Sequence, residues 1–347
     1  MRKYKLALAI AASAILFVAT GAIAKTKIIV FDAPGAGTTH GDGTKPFGIA
    51  KDGTIAGQVT DSSNVFHGFI RAPGGTFTSF DVTGAGTASS QGTYVQGMSS
   101  DGHITGYIVA SNGSNHAFVR APDGTTATFD APDGTRGTFA RGVNDLGDTV
   151  GYYTDINSVS HCFVRTAGGT LTEFDPKRST SCSATDITDK GVIDGSYAST
   201  KGVHSGFVRK SNGKITTFVG PDATMTITEG MNNAQDVTGE YVDAASVAHG
   251  YVRDRKGNVT SFDVPGQVGT VGFGVAPDGT VCGWTADSKT VGHGYVRTPD
   301  GTITVIDAPG AGTASGTGTL AIGVNVKGWV TGFTVDNNNV VHGFLRK

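Results

Sequence analysis

The stretch His67-Gly68-Phe69-Ile70-Arg71 determines the fold, because close copies of it recur along the whole chain. Each copy places an aromatic residue before isoleucine, valine or leucine and ends in arginine. The further copies are His116-Ala-Phe-Val-Arg120, His161-Cys-Phe-Val-Arg165, Gly206-Phe-Val-Arg209, His249-Gly-Tyr-Val-Arg253, His293-Gly-Tyr-Val-Arg297 and His342-Gly-Phe-Leu-Arg346. The chain is therefore a sevenfold repeat. A period of roughly 40 to 50 residues is typical of a propeller or a solenoid.

Each repeat predicts four short antiparallel strands. In the first repeat, one strand lies around residues 48–50, and Asp52-Gly53 then favours a hairpin turn because both turn residues need positive φ. The second and third strands are predicted at residues 54–60 and 66–71, and the fourth, which alternates apolar and polar residues, at 76–81. Four antiparallel strands in a period of this length are typical of a propeller blade.

The two ends of the repeat region indicate how the ring closes. A lone fourth strand is predicted at residues 28–32, and the chain ends with only the first three strands of a repeat, from residue 323 to 346. We therefore predict an all-β fold, a seven-bladed β-propeller whose last blade is completed by the N-terminal strand. A solenoid would need polar capping repeats, and neither end supplies one.

The first residues have the pattern of a signal peptide. Basic residues at positions 2, 3 and 5 precede an apolar run from about residue 6 to 19, and Ala22-Ile23-Ala24 supplies small residues for cleavage. We predict a signal peptide at 1–24, a single propeller domain at 25–347, and a secreted protein, either periplasmic or extracellular. The run is shorter than the roughly 20 apolar residues of a membrane span, so we expect no stable membrane insertion.

The net charge of the chain restricts the classes of partner that it can bind. The formal net charge is −2 and no basic patch is clustered, which argues against nucleic acid as a partner and against an anionic membrane. We expect a monomer.

Of the three cysteines, Cys162 and Cys182 lie near the same face of the predicted ring. The oxidising compartment of an exported protein permits a disulfide between them, but the favoured interpretation is that all three cysteines are small buried apolar residues.

Six of the nine histidines fall at one position of the repeat, which favours a structural role. Blades hold equivalent residues far apart around a ring, whereas a metal needs its ligands within about 2 Å of one point. We therefore expect hydrogen bonds within each blade, no metal and no cofactor. The repeat breaks at His204, which is shifted by one residue and so should point to the other face of its strand. The six histidines are His67, His116, His161, His249, His293 and His342.

Aspartates recur at two further positions. One set follows the fourth strand and the other lies in the loop between the second and third strands. Turn formation explains both sets, since an aspartate side chain accepts bonds from the backbone that follows it. Calcium is the alternative for the second set, although no repeat has the Asp-x-Asp-x-Asp-Gly spacing. The first set is Asp32, Asp81, Asp130, Asp175, Asp263 and Asp307, with Val219 as the exception; the second is Asp61, Asp155, Asp243, Asp287 and Asp336.

The repeat resembles the extracellular HAF-repeat family, whose name-giving triplet stands here as His116-Ala117-Phe118. Residues 142–147, Gly-Val-Asn-Asp-Leu-Gly, are similar to the family's first-strand motif, and residues 31–36, Phe-Asp-Ala-Pro-Gly-Ala, to its fourth-strand motif. The resemblance covers nearly the whole mature chain. It implies a bacterial secreted propeller-like protein, and it implies no reaction.

Loop lengths suggest where a ligand could bind. The turns on one face have only two to four residues, which we consider too short to build a site, whereas the connections on the opposite face are longer. The loops entering the first, second and seventh blades are about five residues longer than most of the others. We predict that these three loops form a groove on the long-loop face, although loop insertions are also tolerated cheaply. The candidate ligand-binding residues are His40, Asp42, Lys45, Gln91, Tyr94 and Thr317.

Three functions remain open. A binding or scaffolding module for a polysaccharide or an envelope protein is favoured, because it needs only the long-loop face. A polysaccharide lyase or hydrolase would use unrepeated polar residues such as Tyr153, Glu229 and Glu240, but no serine-hydrolase, P-loop or zinc-protease motif is present and no catalytic residue is predicted. A purely structural surface protein is the third alternative. A basic flank for an acidic polymer would come from Arg136, Arg141, Lys177 and Arg178.

Overall fold

A computed structural model describes residues 26–347, which contain 28 β-strands and no helix. The all-β prediction is confirmed. The predicted signal peptide and its cleavage site lie outside the described residues. Across residues 26–347 there is also no helix that is long and apolar enough to span a membrane.

The strands pair in seven groups of four consecutive antiparallel strands, which we call units 1 to 7. Unit 1 comprises β2 to β5, and each following unit takes the next four strands. Unit 7 comprises β26, β27 and β28 with β1, because β1 pairs antiparallel with β28.

The strand bounds follow the repeat closely. Units 1 to 3 are β2(Gly43–Ile49), β3(Ile55–Thr60), β4(Phe66–Arg71), β5(Phe77–Phe80); β6(Gly92–Met98), β7(Ile104–Val109), β8(Asn115–Arg120), β9(Thr126–Phe129); and β10(Thr138–Val143), β11(Thr149–Thr154), β12(Ser160–Arg165), β13(Leu171–Phe174). Units 4 and 5 are β14(Ser179–Ile187), β15(Ile193–Ser199), β16(His204–Arg209), β17(Ile215–Phe218); and β18(Met225–Met231), β19(Val237–Val242), β20(Ala248–Arg253), β21(Val259–Phe262). Units 6 and 7 are β22(Gly269–Val275), β23(Val281–Ala286), β24(Gly292–Arg297), β25(Ile303–Ile306); and β26(Gly318–Val324), β27(Val330–Val335), β28(Val341–Arg346), β1(Ile28–Phe31).

The first strand of each unit lies against the first strands of both neighbouring units. These contacts run from β2 through β6, β10, β14, β18 and β22 to β26, and β26 contacts β2 again. Apolar cores fill the spaces between adjacent units. One core, for example, joins Phe31 and Leu345 of unit 7 to Ile49, Ile55 and Phe69 of unit 1. The protein therefore has several cores distributed between adjacent units.

The glycine in the middle of each second strand allows the first strand to approach closely. A Cβ added at Gly57 would lie 2.2 Å from the carbonyl oxygen of Lys45, and one at Gly106 would lie 1.9 Å from that of Tyr94. Real side chains do not tolerate such distances, so these positions accept no larger residue without movement of the backbone. The repeated glycine therefore reflects strand packing.

The repeated histidines pair with the repeated aspartates. In six units the histidine Nδ1 lies 2.6 to 2.9 Å from the carboxylate that follows the fourth strand. In unit 7 this pair joins His342 to Asp32, at opposite ends of the chain. Each histidine thus ties the third strand to the end of the fourth strand of its own unit.

The repeated arginines connect neighbouring units. The guanidinium of Arg71 in unit 1 lies 4.8 Å from the ring centroid of Phe31 in unit 7, and Arg253 in unit 5 lies at the same distance from Phe218 in unit 4. Units 2, 3, 4 and 6 repeat this contact with the aromatic residue of the preceding unit. A cation over an aromatic face is attracted by about 0.5 to 2 kcal/mol.

A disulfide joins Cys162 of unit 3 to Cys182 of unit 4, so the open question of their pairing is answered in favour of the bond. Cys182 replaces a threonine that stands at this position in the other six units. There the threonine hydroxyl accepts a bond from the backbone N–H two residues after the fourth strand, as Thr93 does from Val82. In unit 4 that residue is Pro176, which has no N–H, so a hydroxyl would have nothing to accept.

Candidate functional site

An axial cavity of about 380 Å³ opens on the face of the short turns between first and second strands. We expected these turns to be too short to build a site. They do not need to be long, because seven of them surround the mouth and the first strands form the wall. The face excluded on loop length therefore carries the larger of the two cavities described here.

Every first strand has a β-bulge at the position that lines this cavity. Pairing with the second strand shifts register around this residue in every unit, and unit 4 has one more shift, between Ser179 and Ser181. A bulge leaves one residue out of the strand pairing and re-aims its side chain, in this case towards the cavity. The seven bulged residues are Phe47, Gln96, Arg141, Thr185, Glu229, Phe273 and Ile322, and all of them line the axial cavity.

A second cavity, of about 330 Å³, opens on the long-loop face between units 3, 4 and 5, and we call it the inter-unit cavity. Its polar lining is rich in hydroxyl groups and includes two tyrosine rings. Both cavities share Arg141, Thr185 and Glu229, so these three residues form the partition between them. Arg141 Nη2 lies 3.7 Å from Glu229 Oε2 across this partition. The principal other lining residues of the inter-unit cavity are Tyr152, Ser160, Ser181, Ser183, Ser196, Tyr197 and His204.

The inter-unit cavity exists because unit 4 carries two small residues where the other units carry large ones. Ser183 and Ser196 face each other across β14 and β15. The equivalent pairs in units 2 and 3, Tyr94 with Tyr107 and Phe139 with Tyr152, are stacked aromatic rings 4.8 and 4.9 Å apart. The pairs in units 1, 5, 6 and 7 are Lys45 with Gln58, Ile227 with Glu240, Val271 with Trp284 and Leu320 with Phe333.

The broken repeat of unit 4 places two more side chains at this cavity. Tyr153 and Tyr241 stack on the histidines of units 3 and 5, at 5.1 and 5.0 Å. In unit 4, Ser205 stands at the histidine position, so Tyr197 has no histidine over it and lines the cavity. His204, shifted by one residue, also lines the cavity. The register slip predicted from the sequence therefore contributes directly to the site.

Four carboxyl groups lie around the partition. Burial raises the pKa of Asp186 to about 6, and burial together with the charge of Asp186 raises that of Asp194 well above the usual range. Burial also raises the pKa of Glu229, partly offset by Arg141, and that of Glu240. These groups therefore hold protons more tightly than exposed carboxylates do.

Three of the six candidate residues predicted from loop length make side-chain hydrogen bonds within their own loops. Asp42 Oδ2 accepts bonds from the backbone N–H and hydroxyl of Thr39, Gln91 Oε1 accepts one from Ala88, and Thr317 Oγ1 donates to the carbonyl of Ala314. We expected exposed side chains, which is wrong for Asp42 and Thr317, whose exposed fractions are 6% and 3%.

The other three candidates lie apart from both cavities. His40 is exposed in its loop. Lys45 and Tyr94 belong to strands β2 and β6, because the first strands begin about five residues earlier than we predicted. Lys45 Nζ lies 5.9 Å from the ring centroid of Phe333, and Tyr94 stacks on Phe66 at 4.1 Å. None of the six predicted residues lines the axial or the inter-unit cavity.

The three long loops bind to the unit that precedes them. In unit 2, Ser90 donates its backbone N–H to Asn64 and Gln91 accepts that of Phe66. The loops entering units 1 and 7 make the same pair of bonds. They cover a valine of the preceding unit, such as Val65, which is 5% exposed. The equivalent Val203 and Val247, where the loops are short, are 40% and 37% exposed, so the face is open beside the inter-unit cavity.

The aspartates for which calcium was the alternative form turns. Asp61 Oδ1, for example, accepts the backbone N–H groups of Ser63 and Val65, and Asp155, Asp243, Asp287 and Asp336 accept the equivalent pairs. Among residues 26–347, one cluster has metal-ligand geometry, and it consists of Asp175 with the two disulfide-bonded cysteines.

Sequence reasoning missed Ser183, Ser196, Tyr197, His204 and Asp186 as site residues. These residues could have been identified from the sequence as departures from the repeat. Asp186 replaces a glycine that is present in the other six units, and Ser183 and Ser196 replace larger residues. Loop length instead indicated segments that hold adjacent units together.

Comparison with solved structures gives similar folds at low sequence identity. The β-propeller domain of the Trilobed protease from Pyrococcus furiosus, which has an open velcro topology, is 14% identical with a TM-score of 0.60, over 90% of this chain and 97% of that one. The fold is therefore a β-propeller. The BP39L lectin from Burkholderia pseudomallei is 9% identical with a TM-score of 0.54, over 86% and 93% of the two chains. Puromycin hydrolase is 12% identical with a TM-score of 0.54, and the match spans 84% of this chain but only 50% of that one.

No protein-family model and no curated protein matches the sequence. At such identities the structural matches establish the fold alone. Function has to be argued from the cavities.

Proposed function

We propose that the seven units are the blades of a closed seven-bladed β-propeller. The unbroken series of contacts between first strands supports this, since β26 returns to β2. Three contacts join unit 7 to unit 1 or complete unit 7: β1 pairs with β28, Asp32 bonds His342, and Asn325 Nδ2 donates to the carbonyl of Ala50. The N-terminal strand thereby removes the open edge of the last blade.

We further propose that this propeller is a secreted protein related to the HAF-repeat family and binds a glycan in the inter-unit cavity. The observation that carries the proposal is the Ser183 and Ser196 pair, which opens a cavity in one unit where the other units are filled. A volume of about 330 Å³ lies within the range of small-ligand sites.

The lining suits a sugar in three respects. The rings of Tyr152 and Tyr197 offer apolar faces with a polar end, the combination that contacts the C–H and O–H groups of a pyranose. Ser183 Oγ is buried and has no hydrogen-bond partner within residues 26–347, so it is free to bond a ligand hydroxyl. Arg141 and Glu229 supply charged groups at the base, and charged groups make the stronger hydrogen bonds to hydroxyls.

The protein from residue 25 should be screened against neutral and acidic soluble polysaccharides by retention in affinity gels. We expect retention by at least one glycan, and weaker retention for Tyr197→Ala. The matched control is the double variant His40→Ala, Lys45→Ala, which removes two candidates of the long-loop groove. Loss of retention in the control alone would place the site in the groove and refute the cavity. Retention of both variants equal to that of the parent would refute both sites.

A polysaccharide lyase or hydrolase is the second candidate, favoured by one observation. Glu229 lines the inter-unit cavity, and its burial raises its pKa, as suits a general acid, while Glu240 lies close enough to add to this effect. The gel samples should therefore also be assayed for ultraviolet absorbance and new reducing ends. Product that disappears in Glu229→Gln would establish the enzyme. Retention without product supports the binding module, and an envelope protein or a structural role remains if no glycan is retained.

A further inference from the structure

The axial cavity has an apolar side and an acidic side. Its bulged residues are apolar in three consecutive units, with Phe273 in unit 6, Ile322 in unit 7 and Phe47 in unit 1. All four acidic lining residues, Asp145, Asp186, Asp189 and Glu229, come from units 3, 4 and 5. The two sides therefore face each other across the axis.

The charge of the lining is net negative. Its charged residues are the cations Lys51 and Arg141 and the four acids, which leaves a net charge of −2 when all are ionised. Arg141 is already paired with Glu229, and Lys51 with Asp101. Neither pair includes Asp186 or Asp189, the two carboxylates that unit 4 contributes to the lining.

Asp186 is the residue that distinguishes unit 4 on this wall. The other six units have glycine at this position, where the chain passes close to the next unit; a Cβ at Gly97, for example, would lie 2.4 Å from the carbonyl oxygen of Arg141. Asp186 Oδ1 accepts the N–H of Ile187, and Oδ2 accepts that of Met231 at a longer 3.3 Å. Directly across the strand pair, the fully buried Asp194 accepts the backbone N–H of Asp186 through Oδ1; its Oδ2 has no hydrogen-bond partner within residues 26–347, but Asp194 does not line the axial cavity.

We propose that the axial cavity binds a small amphipathic organic cation, with its ammonium group at the acidic wall around Asp186 and its apolar body against Phe273, Ile322 and Phe47. An ammonium group supplies the positive charge that Asp186 lacks, and its N–H groups add to the two backbone N–H groups that this carboxylate already accepts. The phenylalanine faces on the opposite side provide apolar surface for the body of the ligand. A volume of about 380 Å³ accommodates a ligand of this class. The proposal does not depend on glycan binding in the other cavity.

The test uses three ligands that share an indole body: tryptamine, which is a cation, tryptophol, which is neutral, and indolepropionate, which is an anion. Isothermal titration calorimetry on the protein from residue 25 measures each affinity. We expect saturable binding of tryptamine, binding of tryptophol at least about tenfold weaker, and indolepropionate weaker still. Equal affinities for the three ligands, or no saturable binding of tryptamine, would overturn the proposal.

The decisive variant is Asp186→Gly, which restores the residue found in the other six units and so should fold. We expect it to bind tryptamine about tenfold more weakly, as weakly as tryptophol, because the charge-assisted contact is lost. Phe273→Ala should weaken tryptamine and tryptophol together. Asp123→Asn, at an exposed turn of unit 2, is the matched control and should bind as the parent does.

A second arm separates this site from the inter-unit cavity. Asp186 and Phe273 line only the axial cavity, whereas Ser183 and Ser196 line only the inter-unit cavity. Ser183→Tyr with Ser196→Tyr should therefore leave tryptamine affinity unchanged. Unchanged tryptamine affinity in Asp186→Gly, or its loss in the serine double variant, would contradict the assignment and leave the glycan proposal untouched.

Discussion

Removing the disulfide should destabilise the protein by an amount that the structure allows us to calculate. Cys162 and Cys182 are separated by 20 residues along the chain. Closing a loop of this length lowers the entropy of the unfolded chain, which stabilises the folded state by about 3 kcal/mol at 25 °C. Both cysteines are buried, so we propose Cys162→Ala, the residue at the equivalent position 117, together with Cys182→Val, which is apolar and needs no hydrogen-bond partner beside Pro176.

The assay is urea unfolding of this double variant and of the parent, followed by intrinsic fluorescence. Both should carry Cys282→Thr, since threonine occupies the equivalent position in units 2, 5 and 7 and the change leaves no free thiol. We expect the free energy of unfolding to fall by about 3 kcal/mol. Dithiothreitol should lower that of the parent similarly and leave the double variant unchanged. A loss below about 1 kcal/mol, or an equal effect of reductant on both proteins, would show that the disulfide does not stabilise the fold in this way.

Three further predictions follow from the ring contacts and the titrating groups. A chain that starts after Asp32 should melt at a much lower temperature than one that starts at residue 25, because it lacks β1 and the His342 pair; equal melting temperatures would contradict closure by β1. Burial raises the pKa of Asp186 from 3.8 to about 6, so the parent should lose stability as pH rises through this interval, and Asp186→Gly should show a shallower loss in melts across that range. Burial lowers the pKa of His249, but its hydrogen bonds to Asp263 and Asp243 outweigh burial and raise the pKa overall. The stabilisation from these bonds is complete below the unfolded pKa of 6.5 and is lost as pH rises through the folded pKa. Asp263→Asn should therefore lower the free energy of unfolding more at pH 5.5 than at pH 8.5, and an equal loss at both pH values would contradict this prediction.

The strands could be predicted because the repeat restates the same local chemistry seven times. The second strand predicted at 54–60 is observed at Ile55–Thr60, and the lone strand predicted at 28–32 is observed at Ile28–Phe31. The first strands were predicted too short, because Gly43 and its equivalents resemble loop residues. Gly43 has positive φ, and a Cβ there would lie 2.0 Å from the carbonyl oxygen of Val341 in the preceding unit. The sequence pattern within one repeat does not reveal this close contact between units.

The candidate site could not be predicted in the same way, because it depends on register. That Ser183 faces Ser196 follows only from the pairing of β14 with β15, and the bulge at Thr185 shifts that pairing by one residue. Loop length directed attention to Asp42 and Gln91, whose side chains are used to fold their own loops. In this repeat protein, the residues unique to one unit indicate the inter-unit cavity, whereas loop length indicates segments that bond to the preceding unit.

We propose that the small residues of unit 4 open a ligand site at a position that the other units fill with larger side chains. Calorimetric titration of the retained glycan into the parent and into Ser183→Tyr with Ser196→Tyr tests it most directly, because the double variant copies the Tyr94 and Tyr107 pair of unit 2. We expect an affinity at least about tenfold lower, since bulky rings would occupy the cavity, and a melting temperature close to that of the parent because cross-strand aromatic pairs are favourable. A folded double variant that binds the glycan as tightly as the parent would contradict it.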